Sequence, residues 1–337
     1  MSEVIRVGLD TSKHVFQVHG VDAAERAVLR RTLRRGEVER FFGALPPTVV
    51  GLEACGAGHH WARVLRELGH EARLLPPQYV RPYVKRGKND AADAEAICEA
   101  MSRPSMRFVA VRTRENQAEL MLHGARGLLI KQRTMLMNAI RGHAAEFGVI
   151  GAKGVGRTAS LMTRILSDPG VPALAREIFA ALAAQIEALE QRLRGVERRL
   201  LAWHRASERS RRLATIPGVG PIGATALAMK VPDPSLFKSG RHFAAWLGLT
   251  PKDHSTAGRQ KLGGITRAGD ETLRHLLVSG AMAVVRQARP GRASPWLLEL
   301  LARKPKKLAA VALANKTARM AWVLMMRGEA YRRPIGA

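Results

Sequence analysis

Apolar residues recur along this chain with two different periods, and the change of period divides it. Over the first hundred residues they come in short runs. Val4-Ile5-Arg6-Val7-Gly8-Leu9 reads as a buried strand, Thr11-Ser12-Lys13 turns the chain, and Val15-Phe16-Gln17-Val18-His19 alternates as a half-buried strand should. A third strand falls at 27–33, a helix at 37–45 ends at Pro46-Pro47, and Val49-Val50-Gly51-Leu52 is another buried strand. A helix over 61–68 stops at Gly69, a strand over 71–75 closes at Pro76-Pro77, and an Ala-rich helix opens at Asn89-Asp90. The order is three strands, helix, strand, helix, strand, helix. A leading meander followed by βα units predicts a mixed sheet with helices on its faces. That is the element order of the ribonuclease H-like fold.

From about residue 109 the period becomes helical. The stretch from Arg103 to Arg141 carries eight Arg/Lys against Glu115 and Glu119, and 148–156 interrupts it with glycines. Phe179, Leu182, Ile186, Leu189, Leu193, Val196, Leu200 and Trp203 then alternate spacings of three and four, an a/d seam over more than three heptads. The seam predicts a coiled coil, or else one long amphipathic helix packed in its own domain. Beyond Arg209 the chain is apolar, helical and punctuated by glycine, ending in an amphipathic helix at 308–326 ringed by lysine and arginine. Three regions follow: an α/β domain over 1–108, a helical and coiled-coil segment over 109–208, and a mainly helical domain over 209–331.

Charge narrows the function. The chain has 337 residues, 46% of them apolar, and a formal net charge of +27. Such an excess repels itself unless an anionic partner neutralises it, and nucleic acid is the partner expected. Two cysteines, Cys55 and Cys98, exclude a disulfide framework and a Cys-rich zinc site. No signal-peptide pattern and no membrane-spanning run stands out, so no membrane partner and a cytoplasmic, nucleoid-associated setting are expected.

Against this basic background the acidic residues are conspicuous. Asp90 and Asp93 stand three apart at the start of a helix and so share a face. Asp10 closes the first strand and Glu53 follows the fourth, and these two strands can be neighbours in a twisted sheet. Four carboxylates on one point repel each other and shift toward protonation unless a cation joins them. Hard oxygen ligands suit Mg²⁺ or Mn²⁺, and such ions serve phosphodiester cleavage. The competing reading makes Asn89 or Asp90 an N-cap, Asp93 a partner of the helix dipole and Asp10 a turn-former.

Two further segments bear on nucleic acid. Ile216-Pro217-Gly218-Val219-Gly220-Pro221 joins two helical stretches through a glycine hairpin resembling the helix-hairpin-helix motif, where Gly218 and Gly220 would free backbone N–H groups for a phosphate. Tight helix–helix packing is the alternative. The polar loop 249–264 contains Lys252, His254, Ser255, Arg259 and Lys261. By composition Ser255 is a turn residue or phosphate contact, and a nucleophile is the rarer reading. Lys85, Arg86, Lys88, Lys316 and Arg319 complete the candidate nucleic-acid contacts.

Together the residues resemble the DEDD transposases of insertion-sequence family 110, particularly the 1111 subgroup, over nearly the whole chain. The resemblance is carried by Gly8-Leu9-Asp10, Gly51-Leu52-Glu53-Ala54-Cys55, the run from Lys85 to Ala96, Pro217-Gly218-Val219-Gly220, Leu247-Gly248-Leu249-Thr250-Pro251 and Ala314-Asn315-Lys316-Thr317-Ala318-Arg319. It implies a RuvC-like N-terminal domain, a coiled-coil dimerisation segment and a C-terminal transposase domain. It also implies a bridge RNA that pairs with donor and target DNA, and a homodimer assembling to a homotetramer. The family's four acidic residues map onto Asp10, Glu53, Asp90 and Asp93, and its nucleophilic serine onto Ser255. Ala257 stands where glycine is commoner, and Asn89 where threonine is frequent. The expectation is an RNA-guided DNA recombinase. Its rivals are a metal-dependent Holliday-junction-type nuclease without serine chemistry, an actin-fold ATPase, and an architectural nucleic-acid-binding protein.

Overall fold

The computed structural model describes residues 3–85 and 90–332. They divide into two compact units, Met1–Arg114 and Glu115–Ala337. The first unit is built on a five-stranded sheet. Its strands are β1 (Arg6–Thr11), β2 (Val15–Val21), β3 (Ala27–Arg34), β4 (Val49–Glu53) and β5 (Glu71–Leu75), in the spatial order β3-β2-β1-β4-β5. β1, β2 and β3 pair antiparallel, whereas β1, β4 and β5 pair parallel. β1 and β4 are therefore neighbours, with Gly8 opposite Gly51 and Leu9 opposite Leu52. The mixed sheet is the one the element order predicts.

Helices α1 (Val38–Gly43), α2 (Gly58–Glu67), α3 (Pro77–Val80) and α4 (Asp90–Met101) accompany it. Side chains alternate along a strand, so β1 and β4 each present two faces. Val7, Leu9, Val50 and Leu52 join one core with Phe16, Phe42, Trp61 and Leu65 from β2, α1 and α2. The opposite face carries Gly8 and Gly51, and α4 lies against it. A Cβ on Gly8 would stand 2.7 Å from Cys98 N and 2.9 Å from Cys98 Cβ, and closer still to the Ala94 carbonyl oxygen. One on Gly51 would stand 2.8 Å from Met101 Sδ and 3.1 Å from Ile97 Cγ2. Two glycines in register thus let α4 settle onto the strands with backbone nearly touching backbone. Ala94, Ile97, Cys98 and Met101 are its buried contact residues.

The second unit is helical apart from one hairpin. α5 (Arg114–Glu146), α6 (Thr158–Ser167) and α7 (Ala173–Ala206) come first. α5 and α7 run side by side in opposite directions, since Arg126 pairs with Glu197 at 2.9 Å and Arg133 with Glu190 at 3.8 Å. The Trp203 indole N–H donates to Glu119 at 2.7 Å. Phe179 and Ile186 of the α7 seam pack with Met137 and Ile140 of α5 and Ile165 of α6. That end of the heptad seam is filled by the chain's own helices.

α8 (Glu208–Leu213), α9 (Pro221–Lys230), α10 (Gly240–Trp246), α11 (Glu271–Arg286), α12 (Pro295–Arg303) and α13 (Lys306–Arg327) enclose the largest core, around Phe243, Leu227, Leu247, Leu273 and Ala314. Between α10 and α11 the polar loop forms two short strands, β6 (Pro251–Asp253) and β7 (Leu262–Ile265), which the sequence pattern did not predict. All three β6 residues are exposed, so no apolar alternation marks them. Among the described residues, no helix is long and apolar enough to cross a membrane.

Candidate active site

Asp10 follows Gly8 by two residues in β1, and Glu53 follows Gly51 by two in β4. Each acid therefore lies on the α4 face of the sheet, just beyond the glycine that admits the helix. α4 runs against the strand direction, so its first turn meets the strand ends. Carboxylate oxygens of Asp10, Asp90 and Asp93 lie within 4.8 Å of one another. Glu53 stands outside that group of three, yet near enough for the charges on Asp10 and Asp93 to act on it.

The electrostatics follow from this crowding. Burial, then the charges of Asp93 and Asp90, push the Asp10 carboxyl up from an ordinary 3.8 to about 6. Burial, then Asp10 and Asp93, raise Glu53 as well. Among the described residues no lysine or arginine forms an ion pair with any of the four acids. Converging, uncompensated hard oxygens fit a divalent cation such as Mg²⁺ or Mn²⁺ and suit soft metals poorly. Asp10, Asp90 and Asp93 would hold it, with Glu53 beside them.

The neighbouring basic candidates divide. Lys85 is engaged by Glu95 at 2.6 Å, so its charge is shared with an acid. Arg86 and Lys88, and the capping candidate Asn89, lie outside the described residues.

In the second unit, Ser255 is exposed in the β6–β7 hairpin. Its hydroxyl donates to Asp253 Oδ1, its N–H donates to the same oxygen at 2.9 Å, and its Oγ accepts from Lys261 N–H at 3.0 Å. The hydroxyl is thus fixed in place. Asp253 is held below the usual carboxylate range by these Ser255 bonds. The same Asp-x-Ser contact recurs at Asp233 and Ser235. It is a local turn device, and an Asp two residues before a Ser was its sequence signal. Ala257 adopts φ +50° and Gly258 φ +77°, between Thr256 and Arg259, which pair across the tip. Lys252, Arg259 and Lys261 are exposed on this hairpin.

The glycine hairpin behaves differently from a simple phosphate cradle. Gly218 has φ +85°, and a Cβ there would stand 2.9 Å from the Gly280 carbonyl oxygen of α11. The packing role anticipated as the alternative is thus present at Gly218, while Gly220 is exposed at the start of α9. Lys316 lies over the Trp296 ring at 4.3 Å, and Arg319 is exposed one turn along α13.

Comparison with known proteins gives concordant matches. A family model described as transposase of the IS116/IS110/IS902 family matches residues 210–296. A DEDD transposase model of the IS110 type matches residues 7–148. The chain is 58% identical to a Sinorhizobium fredii protein bearing a transposase name, over all of this chain and 88% of the relative. It is 37% identical to the transposase for insertion sequence element IS1328 of Yersinia enterocolitica, over 98% of this chain and 99% of the relative. It is 36% identical to the transposase for insertion sequence element IS1111A of Coxiella burnetii, over 98% and 92%.

Proposed function

The chain belongs to the IS110 family of DEDD insertion-sequence transposases, and from that membership we propose that it is an RNA-guided recombinase of a bacterial mobile element, cutting through Ser255 with the help of a divalent metal held by its acidic residues. The observation that carries the metal half is the meeting of Asp10, Asp90 and Asp93 within 4.8 Å, with no ion-pair partner among the described residues. A bound Mg²⁺ or Mn²⁺ would supply Lewis-acid stabilisation of charge on phosphate oxygens.

The protein's own residues do the rest. Ser255 Oγ attacks phosphorus, an Oγ–P ester forms, the DNA P–O ester breaks, and the leaving oxygen takes a proton. The hydroxyl of an exchanged strand reverses the step, so one phosphoester replaces another and no nucleotide is consumed. Lys252, Arg259 and Lys261 surround the serine with positive charge for the flanking phosphates. Lys85, Arg86, Lys88, Lys316 and Arg319 are further candidate phosphate contacts, as is Gly220. A bridge RNA pairing with donor and target DNA supplies sequence choice, and the arginine-rich protein holds backbones.

Strand exchange needs more than one cut, which favours a dimer assembling to a tetramer. Since part of the α7 seam is filled internally, the surface proposed for contact between copies includes the exposed α5 stripe of Met121, Leu128 and Met135, spaced by seven.

Strand exchange by purified protein, with its co-purifying RNA and donor and target DNA, tests this reading. Ser255→Ala, Asp10→Asn and Asp93→Asn should each abolish exchange without unfolding the protein. Exchange at the wild-type rate by Ser255→Ala would leave a metal-dependent nuclease in place of the serine mechanism. Intact activity in both Asp variants would restore the architectural reading. Sequencing of the co-purified RNA should yield one discrete species, and its absence would count against guidance.

A further inference from the structure

Beside the serine hairpin lies a groove of about 1140 Å³, walled by β6, β7, the start of α10, α12 and α13. Its floor and sides are largely apolar and include Leu308, Val311, Met320 and Trp296. Arg241, Lys316 and Arg319 also line it, and none of its lining residues is acidic. Among the described residues these three cations have no ion-pair partner. Leu308 is 52% exposed, an apolar side chain left open to solvent.

We propose that this groove binds an unpaired deoxynucleotide of the DNA strand next to the phosphodiester that is cut. Two properties of the lining select that occupant. Apolar walls match only the face of a base, and a base presents its face only when it leaves the stack. The cations match the phosphates on either side of it. A duplex shows its backbone and groove edges, which an apolar floor does not recognise. A second copy of this chain is disfavoured, because it brings a net charge of +27 to a surface whose charged groups are all cations. The strand is taken as DNA because β6 and β7, which carry Ser255 between them, form one wall; in this respect the proposal rests on the function argued above. An unpaired nucleotide gripped there would fix the adjacent phosphate relative to the serine hairpin and free the neighbouring strand for re-pairing.

The test is binding by the full-length protein in EDTA, so that cleavage plays no part. The probes are a fluorescein-labelled 12-nucleotide deoxythymidine strand, its duplex with deoxyadenosine, and the ribouridine strand of equal length. Leu308→Glu should weaken binding of the single DNA strand about tenfold and leave the duplex within about twofold, and Lys316→Ala should weaken the strand more than the duplex. Leu174→Glu, at an exposed position on α7 outside the groove, should change neither. A strand carrying 5-iododeoxyuridine should crosslink to Trp296 or Tyr331, both of which line the groove.

Equal losses for strand and duplex, no loss in either groove variant, tighter groove-dependent binding of the ribo-strand, or crosslinks confined to other segments would each overturn the proposal. So would a protein partner that shields Leu308 and competes with the strand. Because no bond is cut in this assay, its outcome is separate from that of Ser255→Ala. Strand exchange surviving Ser255→Ala while Leu308→Glu still loses the strand would sink the serine mechanism and leave the groove standing.

Discussion

Gly8→Ala is the sharpest probe of how the acidic site is assembled, because it adds one methyl group and touches no carboxylate. The new Cβ would meet Cys98 N at 2.7 Å, where an ordinary contact is 3.4 Å or more, and would crowd the Ala94 carbonyl oxygen further still. Both obstacles are helix backbone, so no side-chain rotation relieves them. α4 must lift from β1 by at least about 0.7 Å, the difference between those two distances. Overpacking of this kind costs about 1–3 kcal/mol. For a unit of this size that lowers the melting temperature by roughly 4–12 °C. The same lift separates Asp90 and Asp93 from Asp10, because Ala94 is the residue immediately after Asp93. Mn²⁺ affinity, read by electron paramagnetic resonance, should fall by at least about tenfold, and strand exchange by about a hundredfold, the usual penalty for a reacting group misplaced by ~1 Å. Gly36→Ala is the control, since a Cβ there meets nothing within 4 Å. Wild-type melting and wild-type Mn²⁺ affinity in Gly8→Ala would refute the claim that close approach of α4 to β1 builds the site.

Three further outcomes follow from the geometry. In metal-free protein the folded state holds the Asp10 proton up to about pH 6, whereas the unfolded chain releases it near 3.8; stability should therefore fall as pH rises through that window, by well under ~3 kcal/mol, because Asp10 is only partly buried and solvent screens its charge. Mg²⁺ at pH 7.5 should restore it, Asp10→Asn should be more stable than wild type without metal and gain little from Mg²⁺, and a flat pH profile in EDTA would contradict the crowding argument. Ala257→Gly should stabilise the serine hairpin by about 0.5–1 kcal/mol, because φ +50° strains an alanine and suits a glycine; hydrogen exchange at the Thr256 and Arg259 amides should slow, and faster exchange would argue against strain. Phe179→Ala should destabilise the second unit by about 3–5 kcal/mol, while Ile178→Ala, at a position 52% exposed, should stay within about 0.5 kcal/mol; similar denaturation midpoints for the two would show that the α7 seam is not packed as described.

The strands of the first unit could be read from the sequence because their burial is periodic. Val7 and Leu9, and Val50 and Leu52, alternate with glycines on the opposite face, and the β1–β4 pairing follows from topology. Helix spacing and strand order point to Asp10, Glu53, Asp90 and Asp93 at one place; the structure brings Asp10, Asp90 and Asp93 within 4.8 Å and leaves Glu53 outside that group. What remained hidden was the role of Gly8 and Gly51. A Gly-x-Asp and a Gly-x-Glu ending two parallel strands signal close helix approach only once the helix responsible is known. The β6–β7 hairpin escaped detection for a different reason. Its strands span three and four residues and are almost wholly exposed, so no hydrophobic pattern marks them. The heptad seam of α7 was legible, but its partner was not. A seam specifies an apolar stripe facing another helix, and nothing in the spacing says whether that helix belongs to the same chain.

The contrast between the two candidate centres has a mechanistic consequence. The acids are perturbed by their own neighbours: burial and like charge raise Asp10 and Glu53, so a cation among them would relieve the repulsion. Ser255 is not perturbed in that sense. Its hydroxyl is held by a turn bond that Asp233 and Ser235 make equally well, and its acceptor Asp253 is shifted away from basicity. An exposed serine beside a weak base is a poor nucleophile. For Ser255 to act as the nucleophile proposed above, it must be activated from outside the hairpin, through the phosphate it attacks or groups brought up when DNA binds. The proposed recombinase would benefit from that division, since a serine reactive only on an assembled substrate would not cut DNA it cannot rejoin.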